Sequence, residues 1–433
     1  MAKSRLKESN KELNDPFPLL AALKANDRKN LFQGKSTNFF HKTGFPLFDY
    51  YFGGLVNVHD ESKILVSQSP RIGQGAGTFN QVLGGSGVGK TTITVQMAAN
   101  IIRPFRNSTI HHYDVENRFD ISRGANITRL PIDFFEDGPN QKYFLNQGQQ
   151  SLEDIQAALA RIWAEKMKLK DELTINTGLL DEFGKEIQIL EPTVFIIDSI
   201  SQVISTTFSP DNAKDISDMQ DLRSNTAGAR DAKTLKGFLK EVCPLIKEAN
   251  IIVFGINHIT GNMSMNAMAG PVKQQNYLKA DEAIPGGRNA TYSSFNMVKM
   301  TAKTSLADSF TIEGDGLDGH MVMFEPIKSS TNQSGNNSHG ISFNMVFDKR
   351  HGFDSLRSLV LYAKDRGIIE GNKSGYKFKE DPSFKFAMKT IHSEKEEKPI
   401  WDCVRKYILP ELEKQLSHID PTCVKYDSET LNY

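Results

Sequence analysis

The chain has 433 residues, of which 39% are hydrophobic and 24% charged, a composition typical of a globular protein with one to three domains. Lysine plus arginine and aspartate plus glutamate both number 52, which argues against a surface that binds nucleic acid throughout, so DNA binding requires a local patch. Three scattered cysteines favour a reducing compartment over a disulfide framework or a zinc site, and without an apolar run of about 18 residues neither secretion nor a membrane span is predicted.

Two segments precede the first clear motif. Residues 1–34 are predicted as an N-terminal arm, in which residues 17–31 place apolar side chains at helical spacing. This helix has two open interpretations, docking on a neighbouring subunit or packing on its own core. The aromatic stretch 39–56 (FFHKTGFPLFDYYFGGLV) is predicted as an entry turn and a helix that pack against the main domain.

The central motif lies in residues 79–94, which read FNQVLGGSGVGKTTIT. Gly84, Gly89, Lys90 and Thr91 fill every required position of G-x-x-x-x-G-K-[ST], a loop whose backbone N–H groups surround phosphate oxygens at a helix N-terminus. We predict that Lys90 reaches the β- and γ-phosphates of a nucleotide and that Thr91 places its hydroxyl on Mg²⁺. The alternative is a glycine-rich turn. The predicted nucleotide contacts here are Gly84, Gly85, Ser86, Gly87, Val88, Gly89, Lys90, Thr91 and Thr92.

Strand-like and helix-like segments alternate after this motif. Residues 109–116, 193–200 and 251–258 are predicted strands, and residues 151–168 are a predicted helix capped by Ser151. Strands separated by helices form a parallel sheet through right-handed crossovers, and ligands bind at the carboxyl ends of such strands.

Polar side chains end each of these strands. Asp198 is the predicted Mg²⁺ ligand, directly or through water, because Mg²⁺ bound to phosphates prefers carboxylate oxygen. Glu116 is the predicted residue that orients and polarises an attacking water, with Asp114 as the alternative. His258 has two open interpretations, a satisfied core residue or a group that transmits the presence of ATP to the segment that follows.

The remaining chain divides into long irregular segments and further strands. Residues 201–229 and 259–290 lack periodicity, and loops of such length are functional or disordered. Further strands are predicted at 293–302, 322–328 and 341–348, with a hairpin-like pair around 313–319, and helices are predicted at 354–369 and 399–416. The predicted organisation is an arm at 1–34, a core at 35–350 and a small C-terminal domain at 351–433.

In this order the segments resemble the RecA-type DNA recombinases, and within them the phage UvsX-like branch. GGSGVGKTT is similar to the phosphate loop of that family, YDVENRFD to the strand that ends in its catalytic glutamate, and VFIIDSIS to its magnesium-binding strand. FGINH and the later GGRNATYSSFNMV resemble its sensor strand and second DNA-binding loop. The segment from IKSSTNQ to AKDRGII resembles its last core strands and the entry to its C-terminal domain, and the resemblance covers roughly residues 35–380.

The resemblance implies an α/β fold with a RecA-like P-loop ATPase core, a mostly parallel sheet, an N-terminal helical segment and a small C-terminal α+β domain. It implies that Lys90 and Thr91 bind phosphate and Mg²⁺, that Glu116 activates water, that Asp198 supports the metal and that His258 senses ATP. It further implies that Lys328 reaches the ATP of a neighbouring subunit. Arg123 stands where bacterial members stack a tyrosine on adenine, and either stacks through its guanidinium or leaves that role to another residue.

The same resemblance assigns DNA binding to two loops, residues 205–229 and 259–290. Tyr277 is predicted to stack between bases, as aromatic residues of single-strand binders do, or to be a loop-tip residue without that task. The predicted DNA-binding residues are Lys273, Tyr277, Lys279, Gly286, Gly287 and Arg288.

The expected function is that of an ATP-dependent recombinase in DNA recombination and repair, which forms helical filaments on single-stranded DNA and exchanges strands with homologous duplex. Its expected partners are single- and double-stranded DNA, further copies of itself, and loader, mediator or single-strand-binding proteins, in a bacterial cytoplasm or nucleoid if a bacteriophage encodes it. Two alternatives remain, a hexameric ring helicase of the same fold and a regulator that uses the nucleotide as a switch.

Overall fold

The strands and helices follow the predicted alternation. The computed structural model describes residues 39–59, 65–181, 185–203, 227–261, 278–279, 282–284, 287–303, 309–312, 317–331, 341–348, 350–372, 375–414 and 416. The strands are β1 (Phe40–His41), β2 (Gly54–His59), β3 (Leu65–Arg71), β4 (Gln74–Gly75), β5 (Phe79–Gly84), β6 (Thr109–Asp114), β7 (Tyr143–Gln147), β8 (Thr174–Leu180), β9 (Glu186–Leu190), β10 (Thr193–Asp198), β11 (Ile251–His258), β12 (Thr260–Gly261), β13 (Glu282–Ala283), β14 (Asn296–Ala302), β15 (Ser309–Ile312), β16 (Leu317–Ser329), β17 (Phe343–Asp348), β18 (Gly352–Asp354), β19 (Ile369–Asn372), β20 (Gly375–Phe378) and β21 (Lys385–Phe386).

The α-helices are α1 (Pro46–Tyr51), α2 (Lys90–Ile102), α3 (Ile121–Thr128), α4 (Leu152–Lys168), α5 (Lys170–Leu173), α6 (Ala227–Glu248), α7 (Gly287–Ser293), α8 (Ser355–Asp365), α9 (Glu397–Cys403) and α10 (Leu409–Glu413). Short 3₁₀ turns lie at Ile132–Phe134 and Ile200–Gln202, and a π-helical turn at Val404–Ile408 joins α9 to α10. Within the described ranges, every helix is too short or too polar to span a membrane.

One large sheet organises these elements. Strands β7, β6, β10, β11, β5 and β14 lie side by side in that order, and all of their pairings are parallel. Strands β16, β17 and β18 extend the β14 edge with antiparallel pairings, and β15 forms a hairpin with β16. The predicted α/β class with a mostly parallel sheet is therefore confirmed.

The central strands are buried on both faces. Val194 and Ile196 of β10 pack into one hydrophobic cluster together with residues of α2, whereas Phe195 and Ile197 pack into a second cluster with α4 and α6. All four side chains are fully buried. A strand covered on both faces gains free energy from apolar residues at every position, which explains the uninterrupted apolar run in the sequence.

The predicted helix at 151–168 is confirmed as α4. Its N-terminus carries a capping box, in which the Ser151 hydroxyl accepts the backbone N–H of Asp154 and the Asp154 carboxylate accepts that of Ser151, both at 3.0 Å. The buried face is formed by Leu152, Ile155 and Leu159. This face covers the sheet beside α6, as the helical spacing predicts.

The aromatic segment before the main sheet also folds as predicted. Phe45, Leu47, Phe48 and Phe52 of α1 and its flanks are buried in the first hydrophobic cluster. Asp49 lies among them, and its Oδ1 accepts hydrogen bonds from the backbone N–H of Thr43 at 3.0 Å and from the Thr43 hydroxyl at 2.6 Å. Burial raises the pKa of Asp49 from 3.8 to about 7, although the two Thr43 bonds oppose the shift.

Asp49 predicts a pH dependence of stability. Because its pKa is higher in the folded than in the unfolded chain, the stability contributed by the protonated carboxyl is complete below about pH 4 and is lost as the pH rises towards 7. Asp49→Asn keeps the acceptor without a charge. We expect the free energy of unfolding of this variant, relative to the native protein, to increase by about 2–3 kcal/mol between pH 5 and pH 8 in urea titrations.

The matched control for this prediction is Asp402→Asn, since the Asp402 side chain is 61% exposed and bonds only to the neighbouring Arg405 among the described contacts. Its stability difference from the native protein is expected to stay within about 0.5 kcal/mol over the same pH range. A constant difference for Asp49→Asn as well would contradict the assignment of a protonated carboxyl at this position.

The C-terminal elements correct two predicted boundaries. The helix predicted at 354–369 ends at Asp365, because Gly367 adopts a left-handed conformation (φ +68°) and Ile369 begins a strand. The second helix begins at Glu397 rather than at Pro399, since proline fits the first turn of a helix. Buried residues of α9 and α10 join the first hydrophobic cluster, and the domain boundary at residue 350 stays a prediction.

The structure differs from the sequence prediction in two further segments, both predicted as loops. Helix α6 begins at Ala227, within the predicted loop 205–229, and α7 occupies Gly287–Ser293 at the end of the predicted loop 259–290. Tertiary packing against α6 stabilises α7, although its sequence lacks helical periodicity. Most of both predicted loops, and the whole predicted arm at 1–34, lie outside the described residues.

Candidate active site

The carboxyl ends of four neighbouring strands form the candidate site. In register, His258 of β11 pairs with Gly84 of β5, and Asp198 of β10 pairs with Asp114 of β6. The parallel sheet thus brings together residues that are up to 174 positions apart in the sequence, from Gly84 to His258. Asp114, Asp198 and His258 border a cavity of about 240 Å³. Its full lining is Ser86, Gly87, Gly89, Lys90, Thr91, Thr92, Asp114, Glu116, Arg118, Phe119, Arg123, Asp198, His258 and Phe347.

The glycine-rich loop between β5 and α2 has no space for side chains at two positions. A Cβ atom on Gly84 would lie 2.7 Å from the backbone oxygen of Met300. Gly89 is left-handed (φ +89°), and a Cβ atom there would lie 2.9 Å from the ring of Phe353. Close contacts with β14 and β18 therefore leave room only for glycine at these two positions.

Lys90 begins α2 and points back across this loop. Its ammonium donates to the backbone oxygens of Gly84 at 3.1 Å and Gly85 at 2.7 Å, and lies 3.4 Å from Nδ1 of His258. Burial lowers the pKa of Lys90, while the negative charges of Asp198 and Glu116 oppose the shift. A buried ammonium held by carbonyl groups can exchange them for the oxygens of an anion.

Thr91 and Asp198 form the second part of the site. The Thr91 hydroxyl donates to Oδ2 of Asp198 at 2.5 Å. Burial raises the pKa of Asp198 to about 6, and the nearby carboxylates Glu116 and Asp114 add to the shift, whereas the Thr91 bond and the charge of Lys90 oppose it. A cation bound beside Asp198 would stabilise the ionised carboxylate and so oppose this rise in its pKa.

This pair fits the needs of Mg²⁺. Within the part of the chain that the structure describes, no group of three or more His, Cys, Asp or Glu side chains could hold a metal ion by itself. Mg²⁺ bound with a nucleotide takes one or two protein oxygens and completes its shell with phosphate and water. One buried carboxylate beside one hydroxyl supplies that number of ligands.

Glu116 and His258 form the third part. Nε2 of His258 lies 2.8 Å from Oε1 of Glu116, so His258 bridges Glu116 and Lys90. Oε1 also accepts hydrogen bonds from the Ser199 hydroxyl at 3.1 Å and from the Gln202 amide at 3.0 Å. The carboxylate is thus directed by side chains from two other strand ends and remains in contact with the cavity.

Asp114, the alternative to Glu116, has a different set of contacts. Its Oδ2 accepts the backbone N–H of Phe119 at 2.8 Å and the Gln147 amide at 2.9 Å. These bonds fix the turn between β6 and α3. Asp114 is fully buried, whereas the Glu116 side chain is 10% exposed, which favours Asp114 as the residue that shapes the turn and Glu116 as the carboxylate available to a ligand.

No protein family matches this chain, and no characterised protein matches it significantly. Any role of the cavity therefore has to be inferred from its own residues and their geometry.

The structure brings most of the predicted catalytic, nucleotide-binding and metal-binding residues to the cavity. Arg123 lines it and donates to the Thr92 hydroxyl at 3.3 Å, close to the first turn of α2. Val88 instead packs in the first hydrophobic cluster, so only its backbone is available to a ligand. Gly84 and Gly85 lie at the entrance of the loop, outside the cavity lining.

Lys328 lies away from the cavity. Its ammonium donates to the backbone oxygens of Thr291 at 3.1 Å and Tyr292 at 2.9 Å, at the C-terminal end of α7, and burial lowers its pKa. A lysine there satisfies the last carbonyl groups of the helix. Its predicted role at the ATP of a neighbouring subunit stays a prediction.

The predicted DNA-binding residues fall largely outside the described ranges. Lys273, Tyr277 and Gly286 are not among the described residues. The backbone N–H of Lys279 donates to Glu282 at 2.9 Å, and Gly287 and Arg288 begin α7. Their contact with DNA stays a prediction.

The sequence patterns missed several residues around the cavity. The sequence patterns assign no role to Ser199 or Gln202, although both lie in the stretch SISQ directly after Asp198. His112 is also fully buried, with its Nδ1 2.7 Å from the Tyr143 hydroxyl and its Nε2 4.0 Å from Oδ2 of Asp198. The sequence feature that could have indicated His112 is its position on a predicted strand, two residues before Asp114.

Proposed function

We propose that this chain is an ATP-dependent DNA recombinase with a RecA-like P-loop ATPase core. The observation that carries the proposal is the meeting of Lys90, Thr91, Asp198, Glu116 and His258 at one cavity on four adjacent parallel strands. The order of these residues along the chain is the order in which the resembled family carries its phosphate loop, catalytic glutamate, magnesium strand and sensor.

ATP would bind with its phosphates on the glycine-rich loop. Lys90 would exchange the carbonyl groups of Gly84 and Gly85 for phosphate oxygens, and the N-terminal end of α2 would add its positive dipole. Thr91 and Asp198 would hold Mg²⁺, which neutralises charge on the phosphates when bound. Arg123 is placed at the edge of the cavity, where a guanidinium can stack on the base.

Glu116 would orient the water that attacks the γ-phosphate. Its carboxylate is next to the cavity and shares His258 with Lys90, so a phosphate bound to Lys90 changes the surroundings of both other side chains. His258 ends β11, directly before the predicted DNA segment 259–290. This arrangement supports a role for His258 in coupling ATP to DNA binding.

The recombinase proposal adds DNA and further copies of the chain as partners. The net charge of zero restricts DNA binding to local patches, for which segments 205–229 and 259–290 are the candidates. Base pairing reads the sequence during strand exchange, so contacts to phosphates and base faces suffice. The proposed location is the bacterial cytoplasm or nucleoid, with loader and single-strand-binding proteins as accessory partners.

The test is ATP hydrolysis with and without single-stranded DNA, with negative-stain imaging of the same samples. The proposal expects hydrolysis that DNA stimulates and helical filaments on the DNA. Closed rings with hydrolysis would favour a helicase, and nucleotide binding without hydrolysis or filaments would favour a regulator.

A further inference from the structure

Arg118 is a basic residue of the cavity to which the sequence patterns assign no role. It lies in the turn that leads from β6 to α3, and its Nη1 lies 3.3 Å from Oε2 of Glu116. The other carboxylate oxygen, Oε1, accepts hydrogen bonds from His258, Ser199 and Gln202. The guanidinium therefore contacts the oxygen of Glu116 that these three side chains do not hold.

The side chain of Arg118 is 75% exposed, although its backbone is fixed on both sides. Asn117 adopts a left-handed conformation (φ +53°), and its Oδ1 accepts the backbone N–H of Gly148 at 2.6 Å. The backbone N–H of Phe119 donates to Oδ2 of Asp114 at 2.8 Å. The base of the side chain is therefore held beside the cavity, while the exposed guanidinium is able to change its contacts.

The proposed reaction creates a need for positive charge beside Glu116. The carboxylate and the γ-phosphate are both negative, and they have to approach each other closely enough to hold one water between them. Two negative charges at that distance repel, and the repulsion increases where solvent is excluded. Lys90 lies over the glycine-rich loop and Arg123 beside Thr92, whereas Arg118 lies against Glu116. Arg118 is therefore placed to offset this repulsion.

A guanidinium can contact both anions at once. It carries five N–H donors in a planar fork and pairs with carboxylates as well as with phosphates. Part of the fork would stay on Oε2 of Glu116 while another N–H donates to an oxygen of the γ-phosphate. Charge on the transferred phosphoryl group is spread over its oxygens in the transition state, where a nearby arginine stabilises it.

We propose that Arg118 is a catalytic residue that bridges Glu116 and the γ-phosphate of the ATP bound to the same chain. The inference rests on the proposed function, in which ATP occupies this cavity and Glu116 polarises the attacking water. It gives each active site an arginine of its own, in addition to the role that the resemblance implies for Lys328 at the ATP of a neighbouring subunit.

The chemical step leaves Arg118 unchanged. The oxygen of the water forms a bond to the γ-phosphorus, while the bond from that phosphorus to the oxygen bridging the β- and γ-phosphates breaks. The electron pair of the broken bond stays with ADP, and one proton of the water passes to Glu116 and then to solvent. Arg118 exchanges no proton and acts through its charge and its donors.

Nucleotide binding tests the contact without hydrolysis. In Arg118→Ala the affinity for ATPγS should decrease about 5- to 20-fold, because a charged donor to the γ-group is lost. The affinity for ADP, which has no γ-group, should stay within about twofold. In a Glu116→Gln background the loss of ATPγS affinity should be at least about threefold smaller, since a neutral amide does not repel the phosphate. Isothermal titration calorimetry with Mg²⁺ measures these affinities.

Hydrolysis provides the second measurement. With single-stranded DNA, kcat of Arg118→Ala should decrease about 10- to 50-fold, less than for a buried donor because solvent weakens the interaction. Arg118→Lys should fall between alanine and arginine, since lysine keeps the charge without the fork. The matched control is Arg405→Ala, whose side chain is 64% exposed and pairs with Asp402 at 2.8 Å, and its rate should equal that of the native protein.

Mixing two variants tests whether Arg118 acts within its own chain. Arg118→Ala mixed with Lys90→Ala should hydrolyse no more ATP than the two proteins do separately, because every site then lacks one of the two residues. Recovery of hydrolysis in the mixture would place Arg118 at the site of a neighbouring chain and overturn the inference.

The remaining outcomes separate the inference from the proposed function. Equal losses of affinity for ADP and ATPγS, an equal ATPγS effect in both backgrounds, or native hydrolysis by Arg118→Ala would overturn the inference alone. The expected effects in a protein that hydrolyses ATP but forms no filaments on DNA would support the inference and overturn only the recombinase. A native protein that hydrolyses no ATP would overturn both.

Discussion

Lys90→Ala is expected to abolish ATP hydrolysis, with a decrease in kcat of at least about 100-fold. The structure places the Lys90 ammonium over the glycine-rich loop, where it contacts the Gly84 and Gly85 carbonyl groups and Nδ1 of His258. Alanine removes the charge that would stabilise the β- and γ-phosphates during transfer. A coupled assay for released phosphate at saturating ATP and single-stranded DNA measures the effect.

The control for this variant is Lys168→Ala, whose side chain is 69% exposed and pairs with Glu165 on the surface of α4. Its hydrolysis is expected to match that of the native protein. Unfolding midpoints of both variants distinguish loss of chemistry from loss of fold. A Lys90→Ala protein that is folded and hydrolyses ATP at more than about one tenth of the native rate would exclude the phosphate role of this loop.

Glu116→Gln is expected to trap an ATP-bound filament on DNA. Glutamine keeps an oxygen that can accept the bonds from His258, Ser199 and Gln202, so the local structure is retained while the negative charge is lost. Without a general base, hydrolysis should decrease about 10²- to 10⁴-fold. Release of the variant protein from labelled single-stranded DNA should also be slower than that of the native protein. Fluorescence anisotropy after addition of a competitor DNA measures this rate.

Glu165→Gln provides the matched exchange at a side chain that is 59% exposed on α4, and should release DNA at the native rate. Normal turnover by Glu116→Gln would show that another residue acts as the general base. Asp114 would then be the first candidate, although its Oδ2 is occupied by the Phe119 backbone and the Gln147 amide.

Much of the sheet was predictable because its signals are local. The apolar runs of β10 and β11 reflect burial on both faces, and Ser151 with Asp154 marks the start of α4 by direct hydrogen bonds. The loop between Gly84 and Lys90 is recognised by spacing, since only glycine fits at the close contacts with Met300 and Phe353. Each of these patterns is visible within a short stretch of sequence, although some of the contacts that require it come from distant segments.

Other features depend on contacts between distant segments and left no local pattern. Helix α7 is stabilised by packing on α6, and the left-handed Gly367 ends α8 earlier than its apolar spacing indicates. Ser199 and Gln202 acquire their importance from Glu116, more than 80 positions earlier in the sequence. Sequence patterns place acids at strand ends, but only the packed sheet distinguishes the environment of Asp114 from that of Glu116.

The central claim is most directly tested by a strand-exchange assay with purified protein, ATP, Mg²⁺, single-stranded DNA and a labelled homologous duplex. Transfer of the labelled strand should require ATP and homology, and Lys90→Ala should be inactive. Absence of transfer in a preparation that hydrolyses ATP on DNA, or equal strand separation with a non-homologous duplex, would contradict a recombinase.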